Sequence, residues 1–124
     1  MEDNNSSDFE CIELDSVEDI SVVKFKDPKV MDPSRIEMMG RELLSLVKED
    51  ETENVLINFE NVSFFSSAAI NKLIVLEKRI RAQGGQIRLS NLRPEVRDLF
   101  SYTNLDSMFQ IKDKQSEAIE SFKG

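Results

Sequence analysis

The sequence lacks several residues on which common protein chemistries depend. It contains no histidine, no tryptophan and only one cysteine, Cys11. A disulfide within the chain, a zinc site of cysteine and histidine, and a histidine-based catalytic triad are therefore excluded. Carboxylate chemistry survives this filter, but the 24 Asp and Glu residues show no convergent cluster. We therefore expect no metal, no cofactor and no enzymatic activity, and we interpret Cys11 as a small core residue.

Long hydrophobic runs are also missing. The N-terminal residues MEDNNSSD are acidic and polar, and no apolar run of the kind found in signal peptides follows them. The longest plainly apolar run in the central helix extends from Leu73 to Leu76, far short of the ~20 residues that span a bilayer. These features predict a soluble, cytoplasmic protein without a membrane partner.

Positive charge is scarce and unevenly distributed. The net charge of −8 argues against nucleic acid or an anionic membrane surface as the main partner. Between Asn71 and Asp98, however, seven Lys or Arg residues stand against three acids, whereas the rest of the chain holds nine basic and 21 acidic residues. This basic region is either a docking surface or a solvated helix face.

The most informative stretch extends from Asn54 to Ala82. A nearly continuous apolar run at 55–59 is typical of a strand that is buried on both faces of a parallel sheet. A turn with two serines follows it, and then a segment with apolar residues at helical spacing, which predicts an amphipathic helix. The apolar positions of that helix are Ala69, Leu73, Leu76 and Ile80, widened by Ile70 and Ile74.

The remaining segments alternate between strand and helix patterns. In chain order we expect strands at 9–14, 20–25, 55–59, 86–90 and 108–111, and helices at 32–48, 67–82, 94–102 and 113–122. The alternation predicts one α/β domain at 9–124, with a mixed, mostly parallel sheet of about five strands covered by about four helices. Residues 1–8 are expected to form a disordered tail.

Several of these motifs together resemble the STAS domain of bacterial anti-sigma factor antagonists. They are the strand VLINFENVSFF, the serine at the start of a helix, the glycine pair Gly84-Gly85, and the segment LSNLRPEVRDLF. The resemblance covers about residues 9–122. It implies a transcription regulator that binds an anti-sigma factor of the serine kinase type, or another regulatory protein. In this family the unmodified antagonist binds the anti-sigma factor, and phosphorylation by that kinase releases it.

The family's phosphorylated turn has the form S-F-M-D-S-S-G-L-G. Aligned on Ser63-Phe64-Phe65, its phosphorylated serine falls on Ser67. The sequence departs from this pattern at three positions, where Ser66 replaces Asp and where Ala69 and Asn71 replace Gly. The loss of both glycines stiffens the start of the helix. The resemblance also implies a partner-binding surface, which we assign to Phe64, Phe65, Ser66, Ser67, Ala68 and Asn71.

Other interpretations of the same residues remain open. Either serine can simply cap the helix, because a hydroxyl there accepts a hydrogen bond from a free N–H group of the first turn. Phe64 and Phe65 can pack under the turn, or one of them can be an exposed docking anchor. The protein can also be an unphosphorylated STAS scaffold or sensor subunit, or a STAS module for a small molecule or nucleotide. The sequence leaves its oligomeric state open.

Overall fold

The computed structural model describes residues 9–48 and 51–123 of the chain. The elements are β1 (Ile12–Val17), β2 (Ile20–Phe25), β3 (Lys29–Val30), α1 (Pro33–Leu44), β4 (Asn54–Asn58), β5 (Phe64–Phe65), α2 (Ser67–Ala82), β6 (Gln86–Ser90), α3 (Pro94–Tyr102), a 3-10 turn (Leu105–Ser107), β7 (Gln110–Lys112) and α4 (Gln115–Ser121). The tail expected at 1–8 lies outside the described residues. No helix in the two described ranges is long and apolar enough to cross a membrane.

The main sheet has five strands in the order β1-β2-β4-β6-β7. The hairpin pair β1–β2 is antiparallel, and the other three pairs are parallel. This arrangement confirms the expected α/β class with a mostly parallel sheet and four helices. A second sheet, in which β3 pairs in parallel with β5, was not expected, because two residues per strand give no readable periodicity.

The helices cover the two faces of the sheet unequally. α1, α2 and α3 contribute to the larger core cluster, while α4 packs on the other face in a smaller cluster with Ile20, Val22 and Leu56. Strand β4 faces both clusters, since Val55 and Ile57 belong to the larger one and Leu56 to the smaller one. This confirms that the strand is buried on both sides, as its apolar run predicts. Cys11 is also in the core, with 3% of its surface exposed.

The first strand begins later than expected. β1 starts at Ile12 and runs to Val17, whereas the sequence predicted a strand at 9–14. The backbone N–H groups of Glu10 and Cys11 donate to the carboxylate of Glu42 on α1, over 2.7 and 3.0 Å. The carbonyl oxygen of Cys11 accepts from the N–H of Lys26, just after β2, over 2.9 Å. The segment before β1 is therefore held both by the Glu42 side chain and by the backbone at the end of β2.

The other differences concern the ends of elements. α1 stops at Leu44 instead of about Lys48, because the N–H groups of Leu46 and Val47 bond to carbonyls only three residues back. The last strand is displaced to Gln110–Lys112 from the expected 108–111, and the last helix is shorter, at Gln115–Ser121 instead of 113–122.

Candidate functional site

The site predicted from the sequence lies at the start of α2. The chain reaches it from the end of β4, through a turn that the last residue of β4 stabilises. Asn58, the last residue of β4, is 2% exposed. Its Oδ1 accepts from the N–H of Glu60 over 2.8 Å, and its Nδ2 donates to Oε1 of Gln115 on α4 over 2.8 Å. The Asn58 side chain thus stabilises the turn after β4 and connects it to α4.

The small β3–β5 sheet fixes the segment before α2. Phe64 pairs with Lys29 and Phe65 pairs with Val30. The N–H of Ser66 then donates to the carbonyl oxygen of Val30 over 3.0 Å. This places the start of α2 next to the segment that leads into α1.

The strand register decides which of the two phenylalanines is buried. Successive side chains of a strand point to opposite sides, and Phe65 is 1% exposed while Phe64 is 48% exposed. The ring of Phe65 packs against Phe25 and Phe59 at centroid distances of 5.3 and 5.2 Å. Phe65 therefore packs under the turn, as one interpretation of the sequence held, whereas Phe64 is presented to solvent.

The two serines differ in structure although they are neighbours. Ser66 is the N-cap of α2, and its hydroxyl accepts from the N–H of Ala69 over 3.2 Å. Ser67 is the first residue of the helix and is exposed. Within the described ranges its hydroxyl has no hydrogen-bonding partner. The capping role thus falls to one serine, and the other is free.

We call the predicted partner-binding residues the α2 mouth: Phe64, Phe65, Ser66, Ser67, Ala68 and Asn71. The structure brings all six together at the start of one helix, because they span β5 and the first turns of α2. Ala68 and Asn71 are exposed like Ser67. Phe65 is the exception, since it supports the surface from below instead of forming it.

Sequence reasoning missed one exposed residue beside the α2 mouth, Met31. It directly follows Val30, whose carbonyl binds Ser66, and 56% of its surface is exposed. The available signal was its position before Asp32-Pro33, the start of α1, where an apolar residue often packs on its own helix. Here Met31 and Phe64 are instead both exposed next to the serines.

Asp32, next to Met31, is the N-cap of α1. Its carboxylate accepts from the Ser34 hydroxyl over 2.6 Å and from the N–H of Arg35 over 3.0 Å. These hydrogen bonds, with that from Ser34 the larger cause, hold the pKa of Asp32 below its usual range. No group of three or more His, Cys, Asp or Glu side chains in the described part of the chain is arranged to hold a metal ion.

Five of the seven basic side chains between Asn71 and Asp98 make a hydrogen bond or an ion pair with other residues of the fold. Arg88 is 8% exposed, packs over the ring of Phe122 at 4.8 Å, and donates to Oγ of Ser121 over 3.0 Å. Burial lowers the pKa of Arg88. Four further side chains have partners within the fold: Lys72 with Glu37, Arg81 with Glu77, Arg93 with the carbonyl of Glu60, and Arg97 with Asp113. Lys78 and Arg79 are the members of the region that face solvent without a hydrogen bond or an ion pair among the described residues.

Comparison with known proteins gives a consistent picture. A sequence model of the STAS domain matches residues 12–118. BtrV of Bordetella bronchiseptica, a protein assigned as an anti-sigma factor antagonist, is 26% identical over 94 residues, which are 76% of this chain and 80% of BtrV.

Solved structures of similar proteins share the fold. An anti-sigma-factor antagonist (STAS) domain protein from Planctomyces limnophilus has a TM-score of 0.83 at 22% identity, over 91% of this chain and 98% of its own. The anti-sigma factor antagonist SpoIIAA in its unphosphorylated form has a TM-score of 0.68 at 20% identity, over 91% and 98% of the two chains. The phosphorylated form of Bacillus SpoIIAA has a TM-score of 0.66 at 19% identity, over 89% and 97%.

Proposed function

The chain belongs to the STAS domain family, and we propose that it is a cytoplasmic regulatory binding protein of the anti-sigma factor antagonist type rather than an enzyme. Its partner is an anti-sigma factor of the serine kinase type, which binds the α2 mouth and phosphorylates Ser67. The observation that carries this proposal is the exposed hydroxyl of Ser67 at the first position of α2, which has no hydrogen-bonding partner among the described residues. The similarity to BtrV and to both forms of SpoIIAA supports the class of partner.

A phosphate on Ser67 suits the local structure. The first turn of α2 contains no acidic residue, and the positive end of a helix dipole stabilises a negative charge. The cap bond from Ala69 goes to Ser66, so modification of Ser67 leaves it in place. The phosphate adds a charge of about −2 at pH 7. The change therefore falls on the surface that a partner contacts, and the fold beneath it is kept.

Two exposed apolar side chains beside the serines can form the apolar centre of an interface with the partner. Phe64 lies in β5 and Met31 directly follows β3, its partner strand, and both present about half of their surface to solvent. A large side chain buried at the centre of an interface typically supplies much of the binding energy. Release by phosphorylation then places a strongly hydrated group next to this apolar contact, which opposes its burial.

The proposal is tested with the purified chain and the serine-kinase anti-sigma factors of its source organism. Ser67→Ala is expected to bind the kinase but to take up no phosphate, and Ser67→Glu is expected to lose binding in calorimetry. Ser116→Ala is the matched control, because Ser116 is also an exposed serine near the start of a helix, on the other face of the sheet. Phosphorylation of Ser67→Ala at the wild-type rate, or unchanged binding of Ser67→Glu, would overturn the proposal.

A second candidate is an unphosphorylated STAS scaffold subunit. It is favoured by one observation, that Ser66 stands where the family has Asp and is occupied as a helix cap. No carboxylate then lies in the first turn to accompany the acceptor hydroxyl. This candidate predicts a stable assembly whose formation is the same for wild type, Ser67→Ala and Ser67→Glu in size-exclusion chromatography.

A further inference from the structure

Helix α2 carries its exposed charge with one sign only. Four basic residues and one acid, Glu77, lie between Ser67 and Ala82. The side chain of Glu77 is only 8% exposed, and its Oε1 lies 2.9 Å from Nη2 of Arg81. The solvent side of α2 therefore presents no free carboxylate, although the chain as a whole has a net charge of −8.

Two of the four basic side chains are held by neighbours. Nζ of Lys72 lies 3.0 Å from Oε2 of Glu37 on α1, and Arg81 is paired within α2. Lys78 and Arg79 are both exposed, and neither has a hydrogen bond or an ion pair with any described residue. Their charges are available to a second molecule.

These two residues continue the surface that starts at Ser67. Steps of four, four and three residues connect Ser67, Asn71, Val75 and Lys78, so that all four lie on one side of the helix. Each is exposed, and Val75 is an apolar residue with 40% of its surface in solvent. We call this set, together with Arg79, the outward stripe. It extends about 18 Å from Ser67 to Arg79 at the rise of an α-helix.

We infer that the outward stripe is a docking surface for an acidic segment of the partner protein, with partner carboxylates facing Lys78 and Arg79 and an apolar partner side chain covering Val75. The inference rests on the proposed function, because Ser67 forms the other end of the same stripe. Complementary charge selects such a partner and speeds its association.

Other occupants fit the charges less well. A nucleic acid would meet two free cations on a chain of net charge −8, and the remaining acids would repel its phosphates. A second copy would bring another net charge of −8 against this one. An acidic segment confined to one patch of a larger partner avoids both penalties, since only that segment has to approach the stripe.

The charge of the partner also gives the switch its direction. A phosphate on Ser67 adds a charge of about −2 to one end of a stripe whose other end is positive. The phosphate acts mainly on charges within about 8 Å at physiological salt, so it repels the part of an acidic segment that lies near Ser67. Modification thereby offsets part of the attraction that Lys78 and Arg79 exert on the other part of the segment. A basic partner would respond in the opposite sense.

The test uses the photo-crosslinking amino acid p-benzoylphenylalanine in place of Val75 in the full chain, expressed in its source cells. The same substitution at Phe64 detects proteins that contact the α2 mouth. The substitution at Ser116 on α4 is the control, because it lies on the opposite face of the sheet. The crosslinked peptide is sequenced, and the captured protein is purified for binding measurements. We expect position 75 to crosslink within an acid-rich segment of the protein captured from position 64.

Charge reversal then tests the ionic contact. Lys78→Glu/Arg79→Glu is expected to weaken binding about tenfold or more, and wild-type affinity is expected to fall as salt is raised. Lys112→Glu/Lys114→Glu reverses the same amount of charge near α4 and is expected to bind like wild type. Urea midpoints of both double variants establish that they are folded.

Three outcomes would overturn the inference. In the first, position 64 crosslinks, position 75 does not, and the charge-reversed variant binds fully. This result would show that the outward stripe is not a docking surface, and it would leave the proposed function intact. Crosslinking from 75 to another copy of the chain shows that the occupant is a second copy. Equal weakening by both double variants shows that only net charge matters.

Discussion

The hydroxyl of Ser66 accepts a hydrogen bond from the backbone N–H of Ala69 over 3.2 Å. Ser66 therefore caps α2, whereas Ser67 beside it is exposed and has no hydrogen-bonding partner within the described ranges. The hydroxyl of Ser67, the proposed phosphorylation site, thus takes no part in the helix cap. Removal of the Ser67 hydroxyl should therefore leave the helix cap at Ser66 in place.

Ser66→Ala is expected to lower the free energy of unfolding by about 1 kcal/mol, because an N-cap that accepts from the first turn is lost. Ser67→Ala removes an exposed hydroxyl that has no partner in the described part of the chain, and is expected to change the free energy of unfolding by less than about 0.5 kcal/mol. Urea denaturation of both variants measures the difference. If Ser67→Ala were the more destabilising of the two, the assignment of the cap would be wrong.

Substitutions of the two phenylalanines of β5 should likewise differ in their effects on stability and binding. Phe65→Ala removes a ring from the cluster with Phe25 and Phe59 and is expected to cost about 3–5 kcal/mol. Phe64→Ala should cost less than about 0.5 kcal/mol and, under the proposed function, should weaken binding of the anti-sigma factor. Thermal unfolding and calorimetry give the two readouts. Since Phe65→Ala can fall below the limit of folding, Phe65→Leu provides a milder version, and equal stability losses at 64 and 65 would contradict the burial.

The sequence predicted the parts of the fold that depend on local periodicity. Ala69, Leu73, Leu76 and Ile80 are all buried, as their helical spacing indicated. It did not predict the start of β1, because the carboxylate that binds the backbone of Cys11 belongs to Glu42, 31 residues away. The exposure of Phe64 rather than Phe65 similarly depends on a pairing with β3 that no local pattern shows. Contacts between distant segments thus decided where β1 starts and which phenylalanine of the site is exposed.

Gly85 follows α2 at a point where the chain has no room for a side chain. A Cβ there would clash with the backbone carbonyl of Glu53, whereas a Cβ at Gly40 would meet only the flexible stem of Lys72, 2.7 Å from its Cδ. Gly85→Ala is therefore expected to destabilise the protein by about 1–3 kcal/mol. Gly40→Ala should be close to neutral, because alanine favours the helix by about 0.5–1 kcal/mol and offsets the displacement of Lys72. Urea midpoints of the two variants test this, and equal effects would refute the close approach at Glu53.

The buried thiol should give the stability of the protein a dependence on pH. Burial raises the pKa of the Cys11 thiol above the ordinary value of 9.0, and Arg35 only partly opposes it. The unfolded chain therefore loses this proton at lower pH than the folded chain, so the contribution of the thiol is complete below about pH 9 and declines as the pH rises further. Relative to Cys11→Ala, wild type should lose stability between neutral pH and pH 10. Rapid alkylation of the folded protein by iodoacetamide at pH 8, at the rate seen in urea, would show that Cys11 is accessible.

Ser66→Asp tests whether the departure from the family pattern limits the switch. Asp caps helices about as well as Ser, and its negative charge at the start of α2 is favoured by the helix dipole. The free energy of unfolding should therefore stay within about 0.5 kcal/mol of wild type. The variant restores the carboxylate that the family carries before the acceptor serine, so we expect the anti-sigma kinase to phosphorylate Ser67 faster than in wild type. Ser66→Asn keeps a capping side chain without the charge, and Ser67 of this variant should be phosphorylated at the wild-type rate. If Asp and Asn behaved alike in a kinase assay, the carboxylate would have no part in recognition, and Ser66 would be a functional substitute for the aspartate.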